Sequence, residues 1–199
     1  VLLKNKVIND RKSAYGLPCY TADATICRTE KCGIEQLRKT GATESYFEWQ
    51  GMNGKQVTKP VMNAKGEQIG YVETVQDLTD QLNQIAYYES ILDAVPMGIT
   101  VTDLNSRWTF VNKAVENMLK KSRKELIGRP CSEWGAAICN TDNCGINRLK
   151  KGITNTKFEQ DGGFYNVDCA YVFDAQGETV GQVEVVGDVT AITKVGNFL

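Results

Sequence analysis

Six cysteines repeat one spacing. Cys19, Cys27 and Cys32 in the first half of the chain, and Cys131, Cys139 and Cys144 in the second, both spell C-x7-C-x4-C-G-I; a seventh, Cys169, stands where the first half has Thr58. Three chemistries fit such a set. Thiolates ligate zinc, other soft metals and iron–sulfur clusters, usually about four at a time. Each copy offers three, without the tight C-x2-C pair that many such sites use. In the second copy Cys169 is available as a fourth ligand, whereas the first would need water, a carboxylate or another chain. The second chemistry is thiol–disulfide sensing by a reactive and a resolving cysteine. Cys32 and Cys144 precede expected short helices whose unpaired amides favour a thiolate, while Glu30 and Asp142 beside them oppose it. The third is structural: buried thiols that pack, or a disulfide pinning an irregular loop, the latter disfavoured in a reducing cytoplasm.

The 199 residues contain no histidine. That excludes serine–histidine and cysteine–histidine dyads, HExxH zinc sites, a phosphoacceptor histidine and histidine-ligated or c-type haem within this chain. A formal net charge of −1, with lysines scattered among acidic residues, provides no basic stripe, so nucleic acid is not an expected partner. Glycine-rich phosphate loops are absent as well. The longest apolar runs, such as residues 94–101 interrupted by Pro96, fall far short of the roughly 20 residues that cross a bilayer. No signal peptide is visible, and any membrane anchoring is expected through segments outside this stretch.

The cysteines belong to a longer internal repeat. Gly16-Leu17-Pro18-Cys19 matches Gly128-Arg129-Pro130-Cys131, Phe47 matches Phe158, Gly70-Tyr71-Val72-Glu73 matches Gly181-Gln182-Val183-Glu184, and Asp77-Leu78-Thr79 matches Asp188-Val189-Thr190. The second copy reads as strands over residues 98–103 and 107–111, a helix over 112–121, a short helix over 145–151, and strands over 157–160, 165–173 and 180–188. Five strands interrupted by helices imply an α+β fold, an antiparallel sheet covered on one face. Between the copies, Leu78, Leu82, Ile85, Tyr88, Leu92 and Val95 form an apolar seam along a helix ending at Pro96. It either packs on its own domain or pairs two chains as a parallel homodimer that carries a signal.

Residues 90–193 resemble a PAS domain, on Ile91-Leu92-Asp93-Ala94-Val95-Pro96-Met97-Gly98-Ile99, Arg107-Trp108-Thr109-Phe110-Val111-Asn112-Lys113-Ala114, Glu125-Leu126-Ile127-Gly128-Arg129-Pro130 and Asp188-Val189-Thr190. With the cysteines, the set resembles PAS modules of bacterial methyl-accepting chemotaxis receptors. The resemblance implies a five-stranded antiparallel sheet, a pocket between sheet and helices, and output through the last strand and its following helix. It implies a tandem arrangement: a first PAS-like module over residues 1–80, a helical connector over 81–95 and a second module over 96–199. Since Val1 aligns near Lys113, the first copy lacks two strands, and another segment or chain is expected to complete it.

Within this frame, Trp108, Phe110, Asn112, Trp134 and Tyr171 are candidates to line a small-molecule pocket, with ordinary core packing as the alternative. Asp188 and Thr190, like Asp77 and Thr79, resemble the family's exit motif, which caps the departing helix and would relay the signal. No acid–base pair or activated nucleophile can be placed, so the expected function is non-enzymatic: a cytoplasmic sensory module, possible as the cytosolic part of a membrane receptor. The alternatives are a cysteine-based redox, metal or iron–sulfur sensor, and a dimerisation module without a ligand.

Overall fold

The computed structural model describes residues 18–22 and 24–196. The expected start of the first copy, including Gly16 and Leu17, lies outside them. The chain divides into two compact units, Val1–Ala86 and Tyr87–Leu199, and the division falls inside the expected connector.

In the first unit a 3-10 turn, Cys19–Ala22, precedes helix α1, Gly33–Thr40. The helix stops where Gly41 turns left-handed, at φ 76°, and its N–H bonds back to the Leu37 carbonyl. Strands β1 (Glu44–Trp49), β2 (Met52–Met62) and β3 (Gln68–Asp77) then form an antiparallel sheet in that order. Gln50 and Gly51, both at positive φ, make the two-residue turn that matches the twist of β1 and β2. Helix α2, Thr79–Asp93, follows.

The second unit carries five strands. These are β4 (Gly98–Asp103), β5 (Trp108–Val111), β6 (Asn155–Gln160), β7 (Gly163–Phe173) and β8 (Thr179–Asp188). They pair antiparallel in the order β5-β4-β8-β7-β6. Between β5 and β6 run α3 (Lys113–Leu119), α4 (Arg123–Leu126), a 3-10 turn over Cys131–Trp134 and α5 (Gly145–Leu149); α6 (Thr190–Gly196) follows β8. The expected α+β fold with a five-stranded antiparallel sheet is therefore present here. The β6–β7 turn, Asp161-Gly162, repeats the positive-φ geometry of Gln50-Gly51. The first unit repeats the later elements (3-10 turn, helix, three strands, helix) but has three strands rather than five among the described residues.

The core explains which side chains face inward. Trp108, Val111, Val115 and Leu126 form one buried cluster; Leu149, Val167, Cys169 and Val186 form another, and Trp134 packs against both. Each large apolar side chain so buried contributes roughly 1.5–3 kcal/mol of transfer free energy. A register shift between Val101 and Thr102 lets Trp108 and Val111, three positions apart on a strand, both reach the core.

Several boundaries differ from expectation for local reasons. The helix foreseen over 112–121 is shorter because Asn112 caps its start and Lys120, at φ 54°, ends it. Helix α2 begins at Thr79 and ends at Asp93, so Leu78 and Val95, the ends of the expected seam, lie outside it. Leu78, Leu92 and Val95 are half-buried, while Ile85 and Tyr88 are exposed. Arg123 ties the last turn of α2 into the second unit through ion pairs to Glu89 at 3.1 Å and Asp93 at 2.6 Å.

Candidate functional site

Strand register sets the inward side chains of the second unit in rows. Thr102 on β4 is paired with Trp108 on β5 and with Gln182 on β8. These residues are 1%, 1% and 3% exposed, yet Thr102 Oγ1, Trp108 Nε1 and Gln182 Oε1 have no hydrogen-bond partner. A buried polar atom left unpaired costs about 1–3 kcal/mol, and here three fall in one strip of adjacent positions. The strip offers a donor at Trp108, an acceptor at Gln182 and a hydroxyl that does either. Two residues further along each strand, on the same face, Glu184 on β8 faces Thr100 on β4 and Cys169 on β7.

The Cys169 thiol donates to Glu184 Oε1 at 3.7 Å. Helix α5 begins directly over this pair. A Cβ on Gly145 would fall 2.5 Å from Cys169 Sγ and 2.6 Å from Glu184 Oε1, so glycine is what allows the helix to dock. Burial raises the Glu184 carboxyl above its ordinary value, offset in part by the Cys169 hydrogen bond, and among the described residues no lysine or arginine acts on it. Burial, then the Glu184 charge, raises the Cys169 thiol. The same causes, joined by Cys144 and Cys139, push Cys131 up to about 12. Cys139 is raised by burial too. At neutral pH these three remain thiols rather than thiolates, which disfavours them as redox nucleophiles.

The first unit repeats the arrangement with different neighbours. Glu73 on β3 accepts from Gln56 Nε2 and, at 3.4 Å, from Thr58 Oγ1. Burial raises its carboxyl and the thiols of Cys19 and Cys27. Gly33 takes the place of Gly145, packed against Thr58 and Gln56. All seven cysteines are free, and among the described residues no three Cys, Asp or Glu side chains converge as ligands of one ion. Cys32 and Cys144 do stand at the N-caps of α1 and α5 as expected, without a side-chain cap bond. Glu73 and Glu184 were not foreseen. Their signal was present in the repeat, as a shared carboxylate two places from an inward strand position.

The other foreseen pocket residues separate. Trp108 and Trp134 meet in the core. Asn112 is fully buried, but its amide is taken up by the backbone. Oδ1 accepts from Ile99 N (2.9 Å) and Val115 N (3.3 Å), and Nδ2 donates to the carbonyls of Leu92 (3.0 Å) and Met97 (2.9 Å). It is therefore a fastener for the chain rather than a free ligand amide. Phe110 lies beneath the Arg123 guanidinium, 4.7 Å from ring centre, and stands outside the Trp108 row, whereas Tyr171, paired with Gln182, extends that row at its 38% exposed end.

The exit residues form matching latches. Asp188 Oδ1 accepts from Thr190 N, and Thr190 Oγ1 in turn accepts from Phe164 N on β7, both at 2.8 Å. Asp77 Oδ1 accepts from Thr79 N at 2.9 Å and Oγ1 at 2.6 Å, and Thr79 Oγ1 accepts from Asn53 N on β2 at 2.9 Å. Each latch fixes the first turn of a helix to a neighbouring strand.

The family described as the PAS fold matches residues 92–193. No curated protein matches the chain. Among solved structures, a PAS domain from Colwellia psychrerythraea is 24% identical, with a TM-score of 0.41, over 56% of this chain and 99% of that one. The PAS domain of Bordetella pertussis BvgS is 15% identical, with a TM-score of 0.42, over 58% of this chain and 96% of that one. The photoactive yellow protein domain of the sensor histidine kinase Ppr from Rhodospirillum centenum is 15% identical, with a TM-score of 0.40, over 50% and 91%. The family match takes in every strand of the second unit and just over half of the chain, and the chain therefore belongs to the PAS-fold family.

Proposed function

We propose that the chain is a non-enzymatic sensory module that holds a small polar molecule on the inner face of the second unit's sheet and relays its presence through the latched helices. PAS domains are sensory signal-transduction modules. The observation that carries the ligand reading is the row of buried, unpartnered atoms on Trp108, Thr102 and Gln182. The Asp188–Thr190 and Asp77–Thr79 latches support the relay, since a guest can shift helices only by binding two of their arrangements with different affinity. We further read the first unit as an incomplete module of the same kind, because it repeats the order of elements and the buried glutamate. A cytoplasmic place in a chemotaxis receptor, as a homodimer, completes the proposal. No helix among the described residues is long and apolar enough to cross a membrane.

Native mass spectrometry of the purified full chain, with extraction of any bound small molecule, tests the ligand reading. Binding that is lost in Trp108→Phe and Gln182→Leu is the expected result; a guest that binds both variants unchanged would sink it. A second reading, in which the cysteines are the active centre, draws on the thiols around Glu184. It predicts bound metal, or colour from an iron–sulfur cluster, in anaerobically purified protein.

A further inference from the structure

The first unit holds a cavity of about 560 Å³ between the β1–β2 hairpin and the start of α2, with Phe47, Asn53, Gly54, Leu78 and Leu82 in its wall. That volume suits a small molecule. The equivalent hairpin of the second unit shows how such a place is otherwise filled. Counted from the two positive-φ turn residues, Phe47 pairs with Gly54 and Glu48 with Asn53 on one hairpin; Phe158 pairs with Tyr165 and Glu159 with Phe164 on the other. Two aromatic side chains of the second unit thus correspond to a glycine and an asparagine in the first. In the second unit the Phe158 and Tyr165 rings stack, with centroids 5.1 Å apart and planes inclined by 21°. In the first unit Phe47 lies on bare backbone, since a Cβ on Gly54 would fall 2.5 Å from its ring.

Two further facts point to a guest. The Asn53 side-chain amide makes no hydrogen bond, and neither Lys31 nor Glu48 at the rim is in an ion pair, among the described residues. The cavity also adjoins the exit latch directly: Asn53 N–H donates to Thr79 Oγ1, Leu78 N–H donates to the Asn53 carbonyl at 2.8 Å, and Leu78 and Leu82 lie one turn apart at the start of α2.

We propose that this cavity is a second binding site, for a small monocyclic aromatic molecule bearing a polar substituent, which takes the place on Phe47 that the Tyr165 ring takes on Phe158 in the second unit. The ring would pack against Phe47 and the Leu78–Leu82 edge, and the substituent would meet the Asn53 amide. Because the same residues carry the latch, occupancy would hold the first turn of α2 in place. This site is separate from the polar row around Trp108 and does not depend on it.

The test is binding of p-cresol to the full chain, followed by nuclear magnetic resonance, with 4-hydroxybenzoate and tyramine as arms that add a negative or a positive charge. The expected result is saturable shifts at Phe47, Asn53, Leu78 and Thr79, and at least threefold slower hydrogen exchange at the Leu82 amide. The variant Gly54→Tyr restores the second unit's aromatic residue opposite Phe47 without removing the Asn53 backbone N–H of the latch, and should weaken binding at least tenfold. In case that variant misfolds, the wild-type shifts alone decide: no saturable shift with any of the three probes, or shifts confined to residues 87–196, would overturn the proposal.

Discussion

The Cys169 thiol donates to the Glu184 carboxylate across neighbouring strands, at 3.7 Å, beneath a helix that only a glycine allows to approach. The pair places an ionisable acid in a desolvated position with no basic partner among the described residues, which makes fold stability depend on pH.

The direction follows from the raised carboxyl of Glu184. The folded chain keeps a proton that the unfolded chain releases, so stability is greatest below the ordinary glutamate pKa of about 4.3 and declines as pH rises toward the raised value. Glu184→Gln removes the ionisation. Its Tm at pH 7 should exceed that of the wild type by a few degrees, at about 2–4 °C per kcal/mol for a chain of this length, and the difference should shrink at pH 4. Parallel pH profiles for the two proteins would refute this.

Thiol accessibility should be graded. Cys19 is exposed, whereas Cys169 is 5% exposed and its thiol is raised. Iodoacetamide at pH 7.5, with sites read by peptide mass mapping, should label Cys19 first. Cys131 and Cys169 should react at least tenfold more slowly until denaturant is added. Equal rates in the native protein would contradict the burial.

Asn112 joins the end of the α2 segment, β4 and α3 through one side chain. Asn112→Ala leaves a helix uncapped and several buried backbone groups unpaired, and should lower unfolding free energy by about 3 kcal/mol or more. Urea unfolding measures it. Trp108→Phe should destabilise for a different reason, the indole volume lost from the buried cluster, because its donor has no partner among the described residues.

The latches give a local prediction. Thr190→Val removes the acceptor for Phe164 N–H, and Thr79→Val does the same for Asn53 N–H. Each should cost about 1 kcal/mol and speed hydrogen exchange at that one amide without broad unfolding. Unchanged exchange at Phe164 and Asn53 would show that the hydroxyls do not hold the strands.

The strands of the second unit were legible because Asp-Gly and Asp-x-x-Gly punctuation brackets alternating side chains, and the later elements fell within a few residues of their expected places. Helix ends were less so: residues 112–121 read as one helix, but Asn112 is its cap and Lys120 ends it. The pocket was legible only in part. Trp108 could be named as an inward aromatic, yet a shift of register beside it turned Phe110 away, and periodicity carries no sign of such a shift. Thr102, Gln182 and Glu184 were overlooked because polar residues at inward positions run against the alternation that identifies a strand. Their meaning arises only when three strands are set side by side.

The position of β4 has a consequence for synthesis. It leaves the ribosome before the other strands of its sheet, yet its partner on the inner side of that sheet is β8, the last of the five to be made, with Gly98 opposite Val186. Until β8 arrives, the β4–β5 hairpin and the β6–β7 hairpin each present an unpaired strand edge, and the nascent chain carries two adhesive borders at once. Chains released before residue 179 should aggregate or bind chaperones, whereas chains that include β8 close the sheet in a single late step.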